Sequence, residues 1–231
     1  MAVGNRIFLE RELPDKSLVE AFKGIPAANI EDCMNRIYGI NPEIRLMSKP
    51  SKAMVGVALT VKTRPGDNLM IHQALEMAGP GDIVIVSNEG ERNRALIGEV
   101  MAQYAQCTRK ISGLVFDGAI RDIDEISKME MPIYATGFTP SGPFKEGPGE
   151  INVPIAIGGI SIMPGDIIVG DGDGITVIPK SDAEAVLAEA LIVCEKDSAK
   201  VKAAKDGTSN KSWVGKKLQE ISCEFIKGVY K

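Results

Sequence analysis

The 231-residue chain predicts an α/β fold with a central parallel sheet, a β-rich layer following it, and a C-terminal helical extension. Three observations predict it. Between residues 55 and 135, short apolar runs alternate with helical patterns, as parallel strands joined by right-handed crossovers require. From Gly137 to Pro179 glycine and proline become dense and short apolar runs stand between turns, which reads as β structure rather than further βαβ units. From Ser181 the chain reads as a long charged helix followed by a break and a tail.

Taken in order, residues 1–50 mix turns with two short helical patterns, Lys16 to Phe22 and Ile30 to Ile37. Val55 to Val61 is a strand, and Asp67 caps a helix from Asn68 to Ala78 that Gly79-Pro80 stops. Ile83 to Val86 is a second buried strand. Arg92 to about Ala105 has helical spacing through Ala95, Leu96, Val100 and Tyr104. Leu114 to Phe116 is the third strand, Ile123 to Met129 a helix, and Ile133 to Ala135 the fourth strand. Val153–Ile157, Ile167–Val169 and Ile175–Ile178 are the apolar runs of the β-rich layer. Asp171-Gly-Asp-Gly174 looks like a fragment of a calcium loop, but the bidentate Glu is missing, so a tight turn is the better reading. Ser181-Asp-Ala-Glu184 is a capping box opening a helix to about Ala204. Asp206 to Lys211 is a break, and Trp213 to Tyr230 a partly helical tail.

Composition narrows the chemistry. A net charge of −4 with no basic stripe argues against nucleic acid as partner. No apolar segment approaches membrane-spanning length and the start has no apolar leader core, so no membrane partner is expected. Cys33, Cys107, Cys194 and Cys223 are widely spaced, without a Cys-x-x-Cys pair, which fits reduced thiols in a cytoplasm. His72 is the only histidine. A metal would therefore rest on carboxylates and water, which points to Mg²⁺ or Mn²⁺.

The most informative stretch is Gly118-Ala-Ile-Arg121-Asp122, directly after the buried run that ends at Asp117. It delivers an arginine and an aspartate at a strand's carboxyl end, where open α/β sheets hold their ligands. Arginine offers a planar fork to a carboxylate and aspartate a hard oxygen to a cation, so an acidic substrate held against a metal is expected. The competing reading is a surface ion pair with an N-capping aspartate. Gly98-Glu99 also follows a strand. Gly98 would let backbone approach a ligand and helix-start amides receive a carboxylate, or the pair sits mid-helix for packing. Both readings stay open on pattern alone. Lys62, His72 and Ser141-Gly-Pro143 read as a solvated strand-end lysine, a surface or packing histidine and a loop.

Gly56 to Lys62, Gly66-Asp-Asn-Leu69, Pro80 to Val86, Arg94 to Glu99, Asp117 to Asp122 and Ile151 to Ile155, in this order, resemble the RraA-like family. That family includes class II 4-hydroxy-4-methyl-2-oxoglutarate / 4-carboxy-4-hydroxy-2-oxoadipate aldolases. The likeness covers about residues 25 to 180. The family's aldolase motif runs Gly, twenty residues, Arg-Asp, two residues, then an acid. Here Gly98 and Arg121 enclose twenty-two, and Arg121-Asp122-Ile-Asp-Glu125 matches the rest. The two extra residues are expected near Gln106–Lys110.

The resemblance implies a swivelling β/β/α fold like the phosphohistidine domain, assembled as homotrimers or homohexamers. It implies that Arg121 binds the pyruvyl part of a 2-oxo acid, Asp122 anchors Mg²⁺ or Mn²⁺, and Glu99 serves through water. The amides of Val100 and Met101, beside Gly98, hold substrate, and an acid from a neighbouring subunit, Glu195 or Asp197, completes the site. The function it implies is cleavage of 4-hydroxy-2-oxo acids to pyruvate plus a second oxo compound, with oxaloacetate decarboxylation as a side activity. Two rivals remain: an RraA-type regulator of ribonuclease without catalysis, and a sugar-acid or lactone enzyme on the same scaffold.

Overall fold

The computed structural model of the chain describes residues 3–230. The chain divides into two compact units, one ending at Leu191 and one starting at Ile192. In the first lie β1 (Asn5–Ile7), α1 (Lys16–Ala21), α2 (Ala27–Cys33), β2 (Arg45–Leu46), β3 (Met54–Thr63), α3 (Leu69–Met77) and β4 (Asp82–Ser87). They are followed by α4 (Glu99–Gln103), β5 (Gly113–Phe116), β6 (Ala119–Ile120), α5 (Ile123–Ile126), β7 (Ile133–Ala135) and β8 (Gly137–Phe138). Next come β9 (Gly149–Ile151), β10 (Ile155–Ile157), β11 (Ile160–Ile162), β12 (Ile167–Gly170) and β13 (Ile175–Ile178). Helix α6 (Ala183–Lys205) begins in the first unit, and the second contains α7 (Ser212–Glu220). Among the described residues no helix is long and apolar enough to cross a membrane.

The central sheet is mixed, which corrects the expectation of a parallel one. Strands β3, β4, β5 and β7 run parallel, in registers such as Val57↔Asp82, Ile83↔Gly113 and Leu114↔Ile133. The other edge of β3 is shared between two antiparallel partners. Met54 to Val57 pair with β12, and Val61 to Thr63 with β9. β12 and β13 form a hairpin across the Asp171–Gly174 turn, and β2 closes the far side against β7. The Gly- and Pro-rich segment therefore does not form a separate layer alone. Part of it returns to the long strand β3, whose second edge takes β9 and β12 as antiparallel partners from far along the chain.

Side chains alternate across the four parallel strands. Leu59, Val61, Val84, Val86, Leu114 and Phe116 face Met70, Ile71, Ala74 and Leu75 of α3. Ala58, Ile83, Ile85, Val115 and Tyr134 face the β10–β11 hairpin through Ile155, Ile157 and Ile162. Burial on both faces is why these strands read as unbroken apolar runs. Each buried aliphatic side chain contributes about 1.5–3 kcal/mol.

Several helix boundaries differ from expectation for identifiable reasons. α2 begins after Pro26 and ends at Cys33, because Asn35 and Arg36 adopt left-handed backbone (φ 57° and 62°). α5 is a single turn rather than a helix to Met129. The long expected helix from Arg92 is instead a loop as far as Gly98. There the backbone groups of Ala95 and Leu96 bond Ser141 and Ala119 across the chain, which claims them before a helix can. α4 then passes into a π-helical turn, Tyr104–Arg109, that ends on left-handed Lys110. This wider turn overlaps the Gln106–Lys110 stretch in which the two extra motif residues are expected. The N-cap of α3 is Asn68 rather than Asp67, although the Asp67 carboxylate still accepts the Leu69 N–H at 2.9 Å. Ahead of α6 the Ser181 hydroxyl donates to Asp182, whose own carbonyl accepts the Val186 N–H.

Candidate functional site

The carboxyl ends of β3, β4 and β5 lie along one sheet edge, and the loops leaving them are tied together by buried polar groups. Asn88, fully buried after β4, accepts the Gly66 N–H (2.8 Å) and donates to the Glu91 carbonyl (2.9 Å). Its own N–H donates to the carboxylate of Asp117, at the end of β5. Burial pushes the Asp117 carboxyl up to about 6, against hydrogen bonds from Asn88 and Gly90 that pull it down. Gly118 follows, and only glycine fits there: an added Cβ would lie 2.5 Å from Asn88 Nδ2. That close turn sends the chain into β6 and presents Arg121 and Asp122.

Gly98, Glu99, Arg121 and Asp122 meet at this point. The Arg121 N–H donates to the Ile97 carbonyl (3.0 Å), which seats the arginine beside Gly98. Asp122 is left-handed (φ 59°, ψ 39°), a conformation aspartate tolerates better than most residues. It occupies the N-cap position of α5, yet its side chain makes no capping bond there. Instead Asp122 Oδ2 accepts the Glu99 N–H at 2.9 Å. The carboxylate is thus withheld from its own helix and held at the start of α4. Arg121 Nε lies 3.8 Å from the same oxygen, with both side chains nearly half exposed. An ion pair so exposed contributes little stability.

Gly98 sits at the N-cap of α4 with extended backbone (φ −132°, ψ −169°) that any residue could adopt. Its need for glycine is steric. An added Cβ would overlap Asp122 Oδ2 and lie 2.9 Å from Arg121 Nε. The reading of Gly98-Glu99 as mid-helix is thereby excluded. The amides of Val100 and Met101 fall in the first turn of α4, where N–H groups have no acceptor within the helix. A second glycine, Gly142, borders the arginine, with an added Cβ 3.3 Å from Arg121 Nη1.

The remaining candidates are placed as follows. Glu99 is half-buried on the first turn of α4. Glu195 and Asp197 lie on α6 in the other unit. Glu195 is exposed, and Asp197 pairs with Lys200 at 2.7 Å. Lys62 faces solvent beside Arg6 and Glu150, and His72 is exposed on α3. Partial desolvation of the His72 ring, followed by the charge of nearby Lys145, lowers its pKa. Among the described residues no group of three or more His, Cys, Asp or Glu side chains could hold a metal by itself. Sequence reasoning missed Asn88, the buried Asp117 and the role of Gly142. A buried asparagine beside a strand end carries no periodic signal, and Gly142 is recognisable only from what it touches.

Comparisons with known proteins bear on this arrangement. A family model described as RraA-like, Aldolase/RraA, matches residues 27–177. A Halalkalibacterium halodurans protein provisionally named a 4-hydroxy-4-methyl-2-oxoglutarate aldolase is 39% identical over 188 residues, 81% of this chain and 89% of that protein. A Thermus thermophilus protein named 4-hydroxy-4-methyl-2-oxoglutarate aldolase is 32% identical over 49% of this chain and 69% of its own length. Among solved structures, an uncharacterized Pseudomonas syringae protein superposes with TM-score 0.76 at 27% identity, covering 86% of this chain and 97% of its own. Streptomyces coelicolor RraAS2, described as an unusual member of the RNase ES inhibitor RraA family, superposes with TM-score 0.73 at 25% identity, over 82% of this chain and 98% of its own.

Proposed function

The chain belongs to the RraA-like family, and from that premise we propose that it is a class II aldolase cleaving 4-hydroxy-2-oxo acids to pyruvate and a second oxo compound. The single observation that carries the reading is the junction of Gly98, Glu99, Arg121 and Asp122. A surface pair would leave Asp122 to cap α5, whereas its carboxylate bonds the Glu99 N–H and Gly98 keeps clear the space around it. The same observation favours catalysis over a purely regulatory, ribonuclease-binding role. The layering of helices, mixed sheet and small hairpin supports a swivelling β/β/α fold of the phosphohistidine-domain type. The expected setting is a cytoplasmic homotrimer or homohexamer.

In this proposal Arg121 takes the substrate carboxylate with its fork, and the Val100 and Met101 amides receive oxygen atoms of the 2-oxo acid. Asp122 fits a divalent cation: it is half exposed, one oxygen is held by Glu99 N–H, and a single carboxylate with water and a chelating substrate suits Mg²⁺ or Mn²⁺. Such a cation, when bound, polarises the 2-oxo group. Glu99, through a water, accepts the proton of the 4-hydroxyl as the C3–C4 bond breaks. The bonding pair becomes the pyruvyl enolate, whose charge Arg121 offsets by about 3 kcal/mol, the scale for one oriented donor. Return of that proton to C3 gives pyruvate. Oxaloacetate decarboxylation passes through the same enolate and is the expected side activity. Glu195 or Asp197 of a neighbouring copy would complete the site. The test is pyruvate release, coupled to lactate dehydrogenase, from a panel of 4-hydroxy-2-oxo acids and oxaloacetate with Mg²⁺. Release is expected, and none from any member would overturn the proposal.

A further inference from the structure

We propose that Arg94 is a positioning residue for Arg121, acting through Gly142, and so sets the affinity of this site for 2-oxo acids. The inference rests on the reading of Arg121 as the carboxylate-binding group. Arg94 Nη1 donates to the Gly142 carbonyl at 3.0 Å. The Arg94 guanidinium stacks on Phe144, 3.9 Å from the ring centroid, and Arg64 approaches the same ring at 5.0 Å. Gly66 makes room for this stack, since an added Cβ would lie 2.8 Å from Arg94 Cδ.

The segment from Ser141 to Phe144 is also tied elsewhere. Ala95 N–H bonds the Ser141 carbonyl (2.8 Å), Phe144 N–H bonds the Gly66 carbonyl (2.8 Å), and Asn68 N–H bonds the Phe144 carbonyl (3.0 Å). Those bonds hold the ends of the segment, and Arg94 fixes the glycine between them. Gly142 in turn borders Arg121 Nη1. Arg94 thus bonds the carbonyl of the same glycine whose Cα borders Arg121. Nothing on Arg94 answers to a need for charge pairing, because no ion pair to an acid is formed by it among the described residues. A half-buried cation bonded to a neutral carbonyl and an aromatic ring keeps its positive potential available to an anionic substrate nearby.

A lysine at this position keeps the charge but loses both the planar stack and the directed bond to Gly142. Arg94→Lys is expected to raise KM for oxaloacetate roughly tenfold and, because Arg121 also offsets the enolate charge, to lower kcat with it. Calorimetric Kd for pyruvate should weaken by the same factor, and the melting temperature should hold. Gly142→Ala, which presses on Arg121 from 3.3 Å, should shift KM in the same direction without touching Arg94. Wild-type KM and Kd in both variants overturn the inference, as does a loss confined to kcat that tracks a lowered melting temperature. Arg121→Lys in the same assays separates the two readings. If Arg121→Lys is impaired and the other variants are not, Arg94 has no such role; if Arg121→Lys is unimpaired, the carboxylate-binding reading itself fails.

Discussion

Replacing Gly98 with alanine tests the site with little disturbance of the fold. The backbone there is extended (φ −132°, ψ −169°), so alanine meets no conformational penalty. The whole effect comes from one methyl group. It would overlap Asp122 Oδ2 and stand 2.9 Å from Arg121 Nε and 3.0 Å from Arg121 Cγ, where ordinary contact begins near 3.4 Å. The half-exposed carboxylate can swing away by roughly 1 Å, which gives up the Glu99 N–H bond, about 1.5–3 kcal/mol with a charged acceptor. For the site the same displacement is severe, because misplacing a catalytic group by about 1 Å costs on the order of a hundredfold. Gly98→Ala should therefore lower kcat/KM for oxaloacetate about a hundredfold while retaining a cooperative melt within a few degrees of wild type. Steady-state kinetics beside differential scanning calorimetry reads both. Near-normal kcat/KM with a correctly folded protein would refute the claim that this glycine shields the Arg121–Asp122 pair.

Three further outcomes are expected. Arg121→Lys should lose roughly a hundredfold in kcat/KM despite its retained charge, because a point charge does not reproduce a two-pronged contact with a carboxylate; normal kinetics would leave Arg121 a surface residue. Chelation should abolish pyruvate release and Mg²⁺ or Mn²⁺ restore it, while Asp122→Asn, which keeps an acceptor for Glu99 N–H, should lose Mn²⁺ binding measured by calorimetry. Full activity in a thoroughly chelated sample would remove the metal-dependent mechanism. Asp117 carries a pH signature. Its folded-state value of about 6 lies above the ordinary 3.8, so the folded state binds the proton more tightly and stability falls as pH rises from about 4 through 6. Each unit costs up to about 1.4 kcal/mol. Asp117→Asn keeps an acceptor for the Asn88 N–H without the buried charge, so its urea-unfolding free energy should be flatter over that window and higher at pH 7.

Much of the scaffold is legible in the chain because it repeats a simple physical rule. Ile83 to Val86 and Leu114 to Phe116 are apolar without a break because both their faces are covered, and Ile133 to Ala135 is a strand at the expected bounds. What defeats the reading is competition for backbone groups at a distance. Ala95 and Leu96 have helical spacing, yet their N–H groups go to Ser141 and Ala119, residues on segments that no local pattern connects to them. The direction of pairing on the second edge of β3 was invisible for the same reason.

The sequence by itself determined the parallel strands, the turn at Asp117-Gly118 and the identity of Gly98, Arg121 and Asp122 as a set to be watched. Those depend on side-chain periodicity, on glycine's missing Cβ and on motif order, all of which are local. Only the tertiary structure decided that Gly98 starts a helix rather than interrupting one, that the Asp122 carboxylate turns away from α5 to the Glu99 N–H, and that Gly142 stands against Arg121. A hydrogen bond across twenty-three positions and a clearance of a few ångströms are properties of packed loops. They exist only once β4, β5 and the 139–144 segment have been brought to one edge by the burial of the strands beneath them.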